Sequence, residues 1–196
     1  MTTTRIEAFS DAVIAILMTI MVLELRAPHA TDAEALRPLV PVLLAYALSF
    51  INLGIYWNNH HHMLQATATI NGEVLWANLH LLFWLSLFPF STAWMSENHF
   101  ARLPTAVYGV VLLAAAIAYY VLQTVIVAGQ GPESTLAIAI GKDRKGKASP
   151  VIYAVAIPLA FVSRWIAVAL YVVVAVLWLI PDRRVERTLA GGETVH

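Results

Sequence analysis

The residues best suited to chemistry open the first apolar segment of the chain. Arg5, Glu7, Ser10 and Asp11 occur within seven positions. Acidic residues in the first turns of a helix suit the positive end of its dipole, and charged side chains near a membrane boundary can reach back to water. Asp11 fits this explanation less well, because it lies about 9 Å along a helix from Arg5. A carboxylate at that depth should face protein and be paired.

The remainder of this segment carries an apolar stripe. Ile16, Thr19 and Leu23 project within about 60° of one another on a helix with 100° per residue. Asp11 lies about 140° from Ile16 by the same geometry, so it should point toward neighbouring helices of its own subunit. Spacing alone indicates only lipid contact or packing for the stripe, since isoleucine and leucine occur throughout membrane helices.

The second apolar segment ends in three consecutive histidines, His60 to His62. Consecutive residues project in different directions on a helix, so this is not the i, i+4 spacing of metal ligands, and a zinc site would need ligands from elsewhere. Because this segment ends where the first begins, we expect His60 or a neighbour to meet Ser10 and Asp11. The alternative is an interfacial belt of aromatic and histidine side chains.

The third segment contains two polar residues that need partners in lipid, Asn78 and His80, and a proline, Pro89, that should kink the helix near its outer end. Nothing indicates an enzyme: there is no glycine-rich phosphate loop, Ser-His-Asp arrangement or pair of catalytic carboxylates. The absence of cysteine excludes disulfides, thiolate metal sites and cysteine nucleophiles. A Thr-Val-Gly-Tyr-Gly potassium filter is also absent.

These residues must be positioned by membrane helices. Of the 196 residues, 60% are hydrophobic and only 12% are charged, about half the charge of a soluble domain. A spanning helix needs about 20 mostly apolar residues. The sequence therefore predicts an all-α membrane protein with six transmembrane helices, over residues 5–25, 39–62, 72–95, 104–127, 149–162 and 165–180. The formal net charge of zero does not indicate a nucleic-acid partner.

The last two predicted helices are short and adjacent. One long bent element over 150–180 is the alternative, and the fifth helix could also be tilted or interfacial. Two spans are favoured because an arginine at mid-bilayer is costly, and a tight turn at Ser163 would place Arg164 at the interface. A cleaved signal peptide at the N-terminus is rejected, because Asp11 and Glu24 flank the apolar stretch and no small-x-small cleavage site follows.

Lysine and arginine set the expected orientation. With six spans, eight of the twelve lysine and arginine residues lie on the same side as both termini: Arg5, Lys142, Arg144, Lys145, Lys147, Arg183, Arg184 and Arg187. We therefore expect cytoplasmic N- and C-termini, a polar, flexible loop over 129–147, a transmembrane domain over 1–181 and a cytoplasmic tail over 182–196. No internal repeat is evident, so any symmetry must come from oligomerisation.

Taken together, these residues resemble a known family. The pattern Arg5-x-x-x-Phe9-Ser10-Asp11 at the start of the first span resembles the signature of the transmembrane protein 175 family of potassium channels, in its single-repeat prokaryotic form. Further similarity lies in 19–24, 56–57, 60–61 and 78–94. The resemblance covers the first three helices well, whereas the last three match mainly in hydropathy.

The resemblance implies a homotetramer of six-helix subunits with helix 1 lining a central pore and no looped carbonyl filter. Pore positions map onto Ile16, Thr19 and Leu23. The family's structural signature network, which holds helix 1 against its neighbours, implies roles for Arg5, Phe9, Ser10, Asp11, His60, His61 and Asn78. Apolar rings at Ile16 and Leu23 would hinder ions by dewetting, and Thr19 hydroxyls could partly replace hydration water.

The predicted function is a passive channel in the bacterial plasma membrane, modestly selective for K⁺ over Na⁺, with K⁺ as the permeant ion. Its partners would be copies of itself and the lipid bilayer, with no cofactor. One alternative is a proton-conducting channel or proton-coupled transporter that uses Asp11, His60, His61 and His80. Transporters usually show inverted repeats and broken helices, which favours a channel over a carrier. The other alternative is a non-conducting membrane enzyme or scaffold.

Overall fold

The computed structural model describes residues 3–29, 31–131, 133–140 and 144–179, and throughout these ranges the regular secondary structure is helical. A 3₁₀ helix spans Ala33–Leu39. Eight α-helices follow the chain in this order: α1 Thr3–Leu23, α2 Val40–Gln65, α3 Gly72–Ser86, α4 Phe88–Glu97, α5 Arg102–Gln130, α6 Thr135–Ile140, α7 Arg144–Val162 and α8 Arg164–Leu179. The predicted tail over 182–196 lies outside the described residues.

Five helical stretches of the described chain are long and apolar enough to cross a membrane. They cover Thr3–Leu23, Ala33–Gln65, Gly72–Glu97, Arg102–Gln130 and Lys145–Val162. The sixth apolar stretch, α8, has 16 residues and is about 24 Å long at 1.5 Å per residue, against a hydrocarbon core of about 30 Å. The all-α membrane fold is thus confirmed, while α8 remains shorter than a full span within the described residues.

The third apolar stretch is broken into α3 and α4 at Leu87, two residues before Pro89. Proline has no N–H to donate and fits only the first turn of a helix, so the helix restarts there. Two hydroxyl groups bond the backbone just after the break, since Thr92 Oγ1 and Ser91 Oγ donate to Phe88 O over 2.6 and 3.2 Å. The predicted kink is confirmed.

The last two helices form an antiparallel hairpin with Ser163 between them. Trp178 Nε1 near the end of α8 donates to Ser149 Oγ near the start of α7 over 2.8 Å. Arg164 is exposed, and its Nη1 donates to His99 O over 3.2 Å at the turn between α4 and α5. The two-helix prediction is therefore correct and the single bent element is excluded.

The loop predicted over 129–147 is wrong in three places. Helix α5 extends to Gln130, α6 lies inside the predicted loop, and α7 begins at Arg144, five residues before the predicted start. Two contacts stabilise the short helix α6: Ser134 Oγ accepts from Ala137 N over 3.3 Å at its N-terminus, and Leu136 is 3% exposed against the core.

Helix α5 lies at the centre of the described bundle and packs against α3, α4, α7 and α8. Its Tyr108 is fully buried, and its hydroxyl lies 2.9 Å from Ser49 Oγ, which lies 2.7 Å from Thr92 Oγ1. This hydroxyl cluster links α2, α4 and α5 through groups that need partners away from water. Helix α1 packs against α2, α3 and α4.

Candidate functional site

Helix α1 has one face that packs against its own subunit. The buried residues are Ile6, Ser10, Ile14, Leu17 and Met21, all at most 7% exposed. Their spacings of four, four, three and four residues follow the 3.6-residue period of a helix. This face is therefore fully engaged within one subunit.

The opposite face of α1 is uncovered in the single subunit. Ile16 and Leu23 are 55% and 75% exposed, and Thr19 is also exposed. Arg5 and Phe9 are exposed as well, and spacings of four and seven residues place them at the N-terminal end of the same face. We call Arg5, Phe9, Ile16, Thr19 and Leu23 the exposed stripe.

A buried chain of hydrogen bonds joins α1 to α2 and α3. Ser10 Oγ donates to Ile6 O over 2.8 Å, and Asn78 Nδ2 donates to Ser10 Oγ over 3.0 Å. His60 Nε2 lies 2.7 Å from Asn78 Oδ1, and it must be the donor because an amide oxygen only accepts. Ser10, Asn78 and His60 are at most 1% exposed. We call these three residues the buried polar chain.

A second group lies beside it, made of Glu7, Asp11 and His61. His61 Nδ1 is 2.7 Å from Glu7 Oε1, and one ligand-type atom from each of the three residues lies within 4.8 Å of the others. The His61 ring stacks on Trp57, with centroids 6.1 Å apart and planes at 21°. Its Nε2 is hydrogen-bonded to Gln65 Nε2 over 2.9 Å. We call Glu7, Asp11 and His61 the carboxylate–histidine cluster.

The expected network is thus divided between these groups. Ser10, Asn78 and His60 form the buried polar chain, whereas Asp11 and His61 belong to the carboxylate–histidine cluster. Arg5 and Phe9 lie on the exposed stripe, and within the described subunit Arg5 joins no hydrogen bond or ion pair.

Of the four residues of the expected proton relay, Asp11 and His61 share the carboxylate–histidine cluster and His60 belongs to the buried polar chain. His80 is exposed, and its Nε2 accepts from Trp84 Nε1 over 2.9 Å. The sequence predicts for Glu7 only a favourable interaction with the helix dipole. The overlooked signal was its i, i+4 spacing from Asp11, which places both carboxylates on one side of α1.

Comparison with known proteins connects this site to a family. The family model described as "Endosomal/lysosomal potassium channel TMEM175" matches residues 5–89. A potassium channel of Chryseobacterium sp. (strain P1-3) is 50% identical over 189 residues, which cover 96% of this chain and 98% of that protein. The chain belongs to the TMEM175 family. Another TMEM175 relative, a potassium channel of Chamaesiphon minutus, is 32% identical over 188 residues, covering 89% and 92% of the two chains.

A solved TMEM175 structure supports the fold. The crystal structure of a lysosomal potassium-selective channel TMEM175 homolog from Chamaesiphon minutus matches with a TM-score of 0.80 at 32% identity, covering 91% of this chain and 96% of that one. The TMEM175 family model spans α1, α2 and α3, which carry the exposed stripe, the buried polar chain and the carboxylate–histidine cluster. The family and these relatives are ion channels rather than enzymes.

Proposed function

We propose that the chain is a passive potassium channel in which four copies place the exposed stripe of α1 around a central pore. The observation that carries this proposal is the mixed character of the stripe. An arginine and a threonine share the uncovered face with Ile16 and Leu23. Arg5 at the start of α1 can reach back to water, but Thr19 lies well inside the helix, where polar groups face protein or water rather than lipid. Both relatives are named potassium channels, and we therefore take K⁺ as the permeant ion.

Thr19 is the position we assign to ion contact. Its Oγ1 donates to Ile16 O over 2.8 Å, one turn earlier in the same helix. The hydroxyl hydrogen is thereby turned toward the helix backbone, and the oxygen keeps lone pairs to accept or to face a cation. Four such oxygens would form a ring that partly replaces the hydration shell of K⁺.

Ile16 and Leu23 flank Thr19 at about 4.5 and 6 Å along the helix axis. Rings of four apolar side chains at these two levels would narrow the pore and oppose wetting. An ion that sheds water more easily crosses such a barrier more often, so K⁺ should pass in preference to Na⁺, and only modestly. No cofactor is required for this passage.

The remainder of the proposal concerns placement in the membrane. The chain would lie in the bacterial plasma membrane with a transmembrane domain over 1–181 and a tail over 182–196. Lys145 and Lys147 at the start of α7 share the side on which α1 begins, which supports cytoplasmic termini by the positive-inside rule.

Reconstituted bilayers test the pore assignment through conductance and reversal potential with K⁺ and Na⁺ on opposite sides. Ile16→Asn should raise conductance by wetting a constriction, and Thr19→Ala should move the reversal potential toward zero. Val22→Asn is the matched control, because Val22 is 44% exposed but projects about 120° away from Ile16. Wild-type currents in both stripe variants, or an equal effect of Val22→Asn, would overturn the assignment.

A further inference from the structure

The carboxylate–histidine cluster contains more negative charge than its neighbours compensate. Glu7 and Asp11 carry two negative charges when ionised, and His61 supplies at most one positive charge. Among the described residues no lysine or arginine pairs with either carboxylate. Glu7 and His61 keep 22% and 32% of their side-chain surface accessible. The cluster is therefore partly shielded from water and still reachable by a small cation.

Three buried atoms in or beside the cluster have no hydrogen-bond partner in the described structure. They are Asp11 Oδ1, His61 Nδ1, which makes only the ion-pair contact with Glu7, and Nδ1 of His60, a residue with no exposed surface. Asp11, Glu7 and His61 are the ionisable groups close enough to His60 to influence it electrostatically. Buried polar atoms are nearly always paired, so these atoms leave hydrogen-bonding or metal-ligating capacity free around the negative cluster.

The donor set indicates the chemical class of that ligand. Imidazole nitrogen and carboxylate oxygen are both ligand types that Zn²⁺ binds, and open zinc sites take three protein ligands and a water. The three donor atoms already lie within 4.8 Å of one another. Tetrahedral Zn–N and Zn–O bonds near 2.1 Å place ligand atoms about 3.4 Å apart, so metal binding would close the widest pair by up to about 1.4 Å and open the 2.7 Å pair of Glu7 and His61 by about 0.7 Å. Oxygen-only cations such as Mg²⁺ would not select a histidine.

We propose that Glu7, Asp11 and His61 form a binding site for Zn²⁺ or a similar borderline divalent cation. His61 Nδ1 would bind the ion, and its Nε2–H would donate to Gln65. This requires only that the Gln65 amide turn over, so that its oxygen replaces the nitrogen now 2.9 Å from Nε2. Stacking on Trp57 already fixes the ring plane. Such outer contacts commonly orient metal-binding histidines.

Bound metal would fasten α1 to α2 at the base of the exposed stripe. Glu7 and Asp11 belong to α1, whereas His61 belongs to α2. The site would therefore act on the position of the helix that carries Ile16 and Thr19, without lying on the stripe itself. The proposal concerns binding and does not depend on whether the stripe conducts potassium.

The test measures Zn²⁺ binding to the purified full-length protein by competition with a fluorescent zinc chelator. We expect one Zn²⁺ per subunit, and at least about tenfold weaker binding in His61→Ala and Glu7→Gln. His61→Cys should retain tight binding, because a thiolate replaces the imidazole as a zinc ligand. His62→Ala is the matched control and should bind as tightly as the unmodified chain.

Folding of each variant is checked without metal by its gel-filtration profile and thermal midpoint. A second readout is Co²⁺, whose visible absorption reports tetrahedral coordination and should disappear with His61→Ala. The proposal fails if no stoichiometric binding occurs, or if His61→Ala and Glu7→Gln bind Zn²⁺ as tightly as His62→Ala. Either result can be obtained with potassium conduction intact, so it is distinguishable from failure of the channel assignment.

Discussion

Replacing Asn78 with leucine should destabilise the fold by breaking the buried polar chain at its centre. Asn78 makes two side-chain hydrogen bonds, 2.7 Å to His60 Nε2 and 3.0 Å to Ser10 Oγ. Ser10 keeps its bond to Ile6 O, so it loses only a donor to its oxygen. His60 loses the only hydrogen-bond partner of its ring among the described residues, since its Nδ1 already has none.

The expected loss of stability follows from the unequal consequences for Ser10 and His60. A buried donor left without a partner costs about 1–3 kcal/mol. Hydrogen bonds between membrane helices average about 0.6 kcal/mol in double-mutant cycles. We therefore expect Asn78→Leu to lower the free energy of unfolding by about 2 kcal/mol, mostly through His60. The measurement is reversible unfolding in mixed micelles, followed by tryptophan fluorescence.

A double-mutant cycle separates the orphaned histidine from general loss of packing. If His60 accounts for most of the cost, Asn78→Leu combined with His60→Leu should cost less than the two single changes added together, by about 1 kcal/mol. Asn98→Leu is the control: Asn98 is exposed, its Nδ2 donates to Trp94 O of the same helix, and we expect a change within about 0.5 kcal/mol. Additivity within about 0.3 kcal/mol in the cycle would refute the reasoning.

Two further substitutions test the packing of the fold, and two test its orientation in the membrane. Gly109→Ala should cost about 1–3 kcal/mol, because the new Cβ would overlap the Tyr171 hydroxyl and lie 2.8 Å from its Cζ; an unfolding midpoint equal to wild type contradicts this. In Gly54→Ala the new Cβ meets nothing within 4 Å, and the higher helix propensity of alanine should raise the free energy of unfolding by up to about 1 kcal/mol. A loss of stability as large as that of Gly109→Ala would mean that Gly54 is covered. In this cysteine-free chain, Ser163→Cys should react with an impermeant maleimide in intact cells and Thr3→Cys only after permeabilisation; the reverse pattern would invert the proposed orientation.

Much of the fold follows from local chemistry. Pro89 lacks a donor and must fall near a helix start, which located the break at Leu87 to within two residues. Arg164 is too costly at mid-bilayer, which predicted the turn between α7 and α8. Helix α6 escaped prediction because a six-residue turn has no measurable period, and its order depends on the burial of Leu136 by distant parts of the chain.

The site was harder to predict, because its two clusters depend on how α2 is rotated against α1. His60 and His61 are about 100° apart on their helix, and only packing determines which one faces Asn78 and which one faces Glu7. The face of α1 on which Arg5 lies could be predicted from residue spacing. Eleven residues bring it to within about 20° of Ile16, so it shares the exposed face and not the buried one.

The polar contacts that α1 makes with other helices are confined to the half of the helix that carries Ser10. This determines how the exposed stripe is oriented. Beyond Ser10 the buried face is apolar, at Ile14, Leu17 and Met21. Apolar contacts are not directional and tolerate rotation of a helix about its axis, whereas hydrogen bonds weaken steeply when misaligned. The bond from Asn78 to Ser10 and the contact between His61 and Glu7 therefore fix the rotation of α1. In the proposed tetramer, these two contacts determine that Ile16, Thr19 and Leu23, and not their neighbours, face the ion path.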